Sequence, residues 1–172
     1  MISLLFVCTG NICRSPMAEG AFREMATACA MEDYVFADSA GTINFHSGER
    51  PDPRAQQTAL MRGFDIAGQR ARSFVTQDYF RFDIILAMDG SHLSFLEKNF
   101  PNAGTAEIKN LLYFAPQTNV IDVPDPYYGD ISDFNKTMDL IEAGCAGLID
   151  EIRCGFHTAD RGLRDLGRPP ST

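Results

Sequence analysis

Hydrophobic positions along the chain fall into short continuous runs that alternate with longer stretches of helical spacing. Ile2–Val7 (ISLLFV) is a continuous apolar run, which predicts a strand covered on both faces. A polar turn containing Gly10 follows. From Ser15 and Pro16 to about Met31 the pattern predicts a helix, with Ser15 as its cap and Pro16 in its first position. Glu19, near that end, suits the helix dipole. Residues 34–38 (YVFAD) and 81–88 (RFDIILAM) predict a second and a third strand. Between them, Asp52-Pro53 opens a helix to about Arg62, closed by Gly63. Asp89 opens another through Asn99, stopped before Pro101. Residues 106–113 (AEIKNLLY) fit a fourth strand or a short helix, and periodicity leaves both open. Ser132 then caps a long helix to about Cys154, whose Phe134, Met138, Ile141, Cys145, Leu148 and Ile152 form one stripe facing a core. Repeated strand–helix units predict an α/β fold: a parallel sheet wrapped by helices with right-handed crossovers. Ligands in such sheets bind beyond the carboxyl ends of the strands.

Residues 156–172 are polar and rich in Arg, Gly and Pro, which predicts a flexible tail after a single domain over residues 1–155. The length of 172 residues, with 45% hydrophobic and 22% charged, excludes intrinsic disorder and suits one domain. A net charge of -8 argues against a nucleic-acid-binding face. The opening apolar run is too short for a signal peptide or a membrane span, and no basic residue precedes it. Five cysteines, Cys8, Cys13, Cys29, Cys145 and Cys154, make an odd count without the spacing of a secreted scaffold. Together these features predict a soluble chain of the reducing cytoplasm, where cysteines are catalytic or buried.

Candidate chemistry concentrates at the end of the first strand, in CTGNICRSP, Cys8 through Pro16. A cysteine and an arginine six positions apart are weak evidence alone. Here they follow a buried-type strand and lead into a helix. Gly10 and Asn11 tolerate left-handed backbone angles, so the loop can turn its amides inward as an anion nest. The helix N-terminus adds partial positive charge for a phosphate-sized dianion. The same field favours the thiolate of Cys8, the form that attacks. Arg14 can grip two phosphate oxygens in its planar fork. Ser15 can donate a hydrogen bond to the sulfur. A thiolate attacking a phosphate monoester needs an acid for the leaving oxygen. Asp125, in DVPDPYYGD at residues 122–130, stands between Pro124 and Pro126 and is the candidate.

CTGNICRSP and DPYYG closely resemble the low-molecular-weight protein tyrosine phosphatase family. SAGT at 39–42, PDPRA at 51–55 and Met88-Asp89 extend the resemblance over residues 1–155. It implies a four-stranded parallel sheet with helices on both faces, a phosphate-binding loop after strand 1, and no metal or other cofactor. It implies Cys8 as nucleophile, Arg14 as phosphate ligand and Asp125 as general acid and base. The loop is then Thr9, Gly10, Asn11, Ile12, Cys13 and Ser15. Asn11 and Ser39 match residues that support it, and Ser15 matches the one that assists the thiolate. The implied substrate is a phosphotyrosine-containing protein or peptide, or a small aryl phosphate, with inorganic phosphate as product. No nucleic acid or membrane partner is implied, and the expected form is a monomer or weak homodimer.

Ile12, Tyr127 and Tyr128 could wall a flat phenyl ring, and Phe45 aligns with a position often aromatic in the family. Relatives acting on phosphoarginine carry Thr where Ile12 stands, which favours phosphotyrosine here. The family also pairs a cysteine at the Cys13 position with the nucleophile in a reversible disulfide; a small hydrophobe packed under the loop is the other reading of Cys13. Cys29, Cys145 and Cys154 fall on predicted helices and read as packing residues. Many relatives have His in the stretch matching Gln69–Arg72, where this chain has Gln69, so its loop support is expected to differ. His46, His92 and His157 show no metal spacing and read as exposed, with His92 near the site rim. An arsenate reductase would need further relay cysteines, and none lies between Cys29 and Cys145. A noncatalytic phosphotyrosine-binding module is disfavoured by the presence of both nucleophile and acid.

Overall fold

The computed structural model describes residues 1–165, with side chains described through Gly155. Four parallel strands form one sheet in the order β2-β1-β3-β4, where β1 is Ile2–Cys8, β2 Val35–Gly41, β3 Ile84–Ala87 and β4 Glu107–Asn110. Helices α1 (Arg14–Ala28), α2 (Pro53–Met61), α3 (Asp78–Arg81), α4 (Gly90–Lys98) and α5 (Ile131–Asp165) complete the fold.

Strand β1 is central and explains the opening apolar run. Leu4, Phe6 and Cys8 point into a core shared with α1 and α5, while Leu5 and Val7 point into a second core beside α3 and α4. Both faces are covered from Leu4 onward, so those positions must be apolar, while Ser3 before them donates to Asp83 Oδ2. Burying each of Leu4, Leu5, Phe6 and Val7 stabilises the fold by about 1.5–3 kcal/mol. The larger core takes Met17, Ala18, Ala21 and Phe22 from α1. From α5 it takes the full predicted stripe of Phe134, Met138, Ile141, Cys145, Leu148 and Ile152.

Several boundaries differ from expectation. The third strand is only Ile84–Ala87, because Arg81 closes α3 and Phe82 turns extended. Residues 106–113 are neither pure strand nor helix: β4 ends at Asn110 and a 3-10 turn, Leu111–Phe114, follows. Helix α5 starts at Ile131, and Asp130 rather than Ser132 caps it, accepting from the Ser132 amide at 2.8 Å. The backbone of α5 continues past Cys154 to Asp165, whereas a flexible tail is expected from residue 156. That expectation otherwise lies outside the described residues, as does the side chain of His157. Asp52 and Asp89 cap α2 and α4 as the sequence predicts. Cys145 is buried, but Cys29 and Cys154 are exposed: Cys29 stands past the last turn of α1, and Cys154 lies off the buried stripe. Among the described residues, no helix is long and apolar enough to cross a membrane.

Candidate active site

Strands β1 and β2 end side by side, with Cys8 opposite Gly41. The chain leaves β1 at Cys8 and enters α1 at Arg14, so Thr9–Cys13 must turn sharply. Asn11 makes the turn in the left-handed region at φ 56°. The carbonyls of the loop face outward: Cys8 accepts from Thr42 at 2.9 Å, Thr9 from Ile43 at 3.1 Å and Ile12 from Asp52 at 2.7 Å. The amides of Gly10 through Cys13 have no acceptor among the described residues, which is the arrangement of an anion nest at a helix N-terminus. Gly41 is required by close approach, since a Cβ there would lie 2.7 Å from the Thr9 carbonyl oxygen.

Ser15 lies inside the first turn of α1 and caps nothing. Its Oγ is 3.0 Å from Cys8 Sγ. Asn11 Nδ2 donates to Ser15 Oγ and to Ser39 Oγ, both at 2.9 Å, and Ser39 Oγ donates to Glu19 Oε2 at 2.7 Å. With Asn11 donating to Ser15, the Ser15 hydroxyl hydrogen can point at the sulfur or at the Ala40 carbonyl, 3.4 Å away. The Arg72 amide holds Asn11 Oδ1 at 2.9 Å. Glu19, expected in an acidic first turn, is instead buried one turn further on at the base of this network. Burial pushes its carboxyl above the ordinary range, against the Ser39 hydrogen bond. Gln69 reaches the Pro16 carbonyl at 3.2 Å, supporting α1 rather than Asn11.

Arg14 is buried and held flat between two carboxylates. Nη1 donates to Asp89 Oδ2 at 2.6 Å and Nη2 to Asp125 Oδ2 at 2.7 Å. Asp89 also caps α4, accepting from the amides of Ser91 and His92. Burial alone would raise Asp89, but hydrogen bonds from Ser91 and the His92 amide, with His92 and Arg14 beside it, carry it below the ordinary range. His92 is 2% exposed, not a surface residue. Its Nε2 is 2.8 Å from Thr9 Oγ1, and its Nδ1 lies 2.9 Å from Asp89 Oδ1 without hydrogen-bond geometry. Burial pushes the imidazole below its ordinary pKa.

Cys8, Thr9, Gly10, Ile12, Cys13, Arg14, Asp125, Tyr127, Tyr128 and Phe45 all line one cleft of about 410 Å³. Ile43 and His46 line it too; His46, expected to be exposed, is half-buried here because its ring packs against the cleft. Tyr128 is 97% and Phe45 79% exposed, so they stand at the mouth. Burial, then Asp52 and Cys8 nearby, push Cys13 well above the ordinary thiol range. The structure therefore brings together every expected nucleophile, loop and pocket residue, with Ser39 behind the loop. Sequence reasoning missed the anchoring contacts of Asp89, His92, Glu19 and Arg72. Asp89 alone had a signal, as the cap of α4. Among the described residues, no cluster of three or more metal-ligating side chains occurs.

Residues 3–155 match the family described as low molecular weight phosphotyrosine protein phosphatase. The chain belongs to that family. It is 40% identical over 153 residues to the low molecular weight protein-tyrosine-phosphatase YfkJ of Bacillus subtilis, covering 89% of this chain and 97% of the relative. The crystal structure of a protein tyrosine phosphatase from Entamoeba histolytica superposes with a TM-score of 0.86 at 34% identity, covering 90% of this chain and 99% of that one. The crystal structure of a Drosophila arginine phosphatase superposes with a TM-score of 0.81 at 29% identity, covering 88% and 98%. Family membership makes the chain a hydrolase.

Proposed function

We propose that the chain hydrolyses phosphotyrosine in proteins or peptides, and small aryl phosphates, through a phosphocysteine on Cys8. The carrying observation is that Cys8, Arg14 and Asp125 line the same cleft. The thiolate of Cys8 attacks phosphorus, forming an S–P bond as the ester P–O bond breaks. The loop amides and the Arg14 fork hold the equatorial oxygens, where charge spreads in the transition state. A phosphate seated there takes Arg14 Nη2 over from Asp125. The freed carboxylate, half exposed at the mouth, takes up a proton from solvent and gives it to the leaving phenolic oxygen. Asp125, now ionised, takes a proton from water as it attacks phosphorus. The S–P bond breaks and inorganic phosphate leaves. Ser15 donates to the sulfur in its thiolate form at both ends of the cycle.

The Drosophila neighbour's name means that the fold does not choose between aryl and guanidine phosphates. The apolar Ile12 with Tyr127, Tyr128 and Phe45 around the mouth supports a flat aromatic substrate. Cys13, which lines the same cleft as Cys8, supports the oxidised state of the same reading. Peroxide converts Cys8 to a sulfenic acid, and attack by the Cys13 sulfur expels water to leave a disulfide. A reducing, cytoplasmic setting and a monomer or weak homodimer belong to this reading.

Asp125→Ala tests the acid. For kcat/KM, the loss is expected to be about 10²–10⁴-fold with phenyl phosphate and much smaller with p-nitrophenyl phosphate, whose leaving group needs no proton. An equal loss with both substrates would contradict the acid role.

A further inference from the structure

Arg54 takes no part in the chemistry above, yet it joins the loop that carries Asp125 to the loop that carries Cys8. The Asp52 amide donates to the Ile12 carbonyl at 2.7 Å, which stitches the start of α2 to the phosphate loop. The Asp52 carboxylate in turn accepts from the Arg54 amide at 2.8 Å. One edge of the guanidinium then meets that carboxylate at two points, Nε to Oδ1 at 3.0 Å and Nη2 to Oδ2 at 2.8 Å. Burial works against the charge on Asp52, but the hydrogen bonds from Arg54 outweigh it and hold Asp52 below its ordinary range. The far side of the guanidinium reaches the acid loop. Nη1 donates to the Gly129 carbonyl at 2.8 Å and Nη2 to the Tyr127 carbonyl at 3.0 Å. The Arg54 Cζ lies 4.7 Å over the Phe134 ring, which adds a cation–π contact at the start of α5.

Apart from the Arg14–Asp125 ion pair and the cap of α5 at Asp130, the other ties of the acid loop to other elements among the described residues lie before Asp125. The Val123 amide donates to the Met88 carbonyl at 2.8 Å, and the Thr137 hydroxyl to the Pro124 carbonyl at 3.1 Å. Beyond Asp125, the Gly129 amide closes a turn onto Pro126 within the loop itself. Among the described residues, no donor but Arg54 reaches the carbonyls of Tyr127 and Gly129.

We propose that Arg54 is a positioning residue for the acid–base step, fixing where Asp125 stands relative to Cys8 by clamping the downstream side of its loop. The proposal rests on the reading of Asp125 as acid and base. A lysine would keep the charge but not the planar fork that meets a carboxylate and two carbonyls together.

The test measures kcat/KM across aryl phosphates from good to poor leaving groups for wild type, R54K, D125A and the double variant. Misplacing a catalytic group by about 1 Å costs about 10²-fold. R54K is therefore expected to lose about ten- to hundredfold with phenyl phosphate and less than about threefold with p-nitrophenyl phosphate. In the D125A background the same substitution should cost less than about twofold, because the group it positions is gone. A loss equal across the series, or one that persists undiminished without Asp125, overturns the proposal while leaving the acid reading intact. If D125A itself shows no leaving-group dependence, the acid reading fails and the proposal falls with it. If R54K does not fold, D52N carries the test: it keeps Arg54, frees one side of its fork, and should reproduce the same ordering at smaller size. A flat D52N series overturns the proposal equally.

Discussion

His92 shows how far a residue's role can sit from its sequence signal. It is buried between Thr9 of the phosphate loop and Asp89, the carboxylate that holds Arg14. Burial is the largest influence on it and lowers its pKa; Arg14 lowers it further, while Asp89, Asp125 and Asp122 oppose. Between its depressed folded value and its ordinary 6.5, the unfolded chain binds a proton that the folded chain refuses. Stability from this group is therefore complete above 6.5 and lost as pH falls toward the folded value. His92→Gln should remove that dependence. Urea unfolding from about pH 7 to pH 5 should show wild type losing its advantage over the variant on acidification, and a constant difference would contradict it. Cys8, Arg14 and Asp125 were legible because local motifs announce them. Contacts of His92 with Thr9 and of Asp89 with Arg14 bridge 83 and 75 positions, and no local pattern encodes such pairings.

At the scale of elements, the site is a set of strand ends and helix starts, and its accuracy depends on how closely they approach. Gly41 is the tightest point, with an added Cβ 2.7 Å from the Thr9 oxygen and 3.1 Å from the Asn11 nitrogen. Both are backbone atoms, so Gly41→Ala must displace the phosphate loop. A fall in kcat/KM of about 10²-fold is expected, with a stability loss of about 1–3 kcal/mol. Activity within about twofold of wild type would contradict the close approach. Helix caps were legible at Asp52 and Asp89, but not at α5, where Asp130 caps in place of the expected Ser132. They were misread at Ser15 because a serine before proline is a cap by local rules alone. Here the helix begins at Arg14, and the hydroxyl serves the sulfur instead.

Across the whole molecule, the alternating pattern was enough to place both cores, because β1 must be apolar on both faces and α5 on one stripe. What it could not give was the seating of α5 against the 3-10 turn after β4. There Gly147 lets α5 approach the Phe114 carbonyl so closely that a Cβ would collide with its oxygen. Gly147→Ala should destabilise by about 1–3 kcal/mol, a fall of roughly 2–4 °C in Tm for each kcal/mol, with turnover by the folded protein kept. An unchanged Tm would contradict that packing. The central claim concerns the cleft, and one measurement tests it most directly. Phosphate release is followed from matched phosphotyrosine, phosphoserine and phosphoarginine peptides, with chelator present, for wild type and Cys8→Ser. Release from phosphotyrosine alone, abolished in Cys8→Ser while inorganic phosphate still binds, is the predicted result. Release that survives Cys8→Ser, or that favours phosphoarginine, would contradict it.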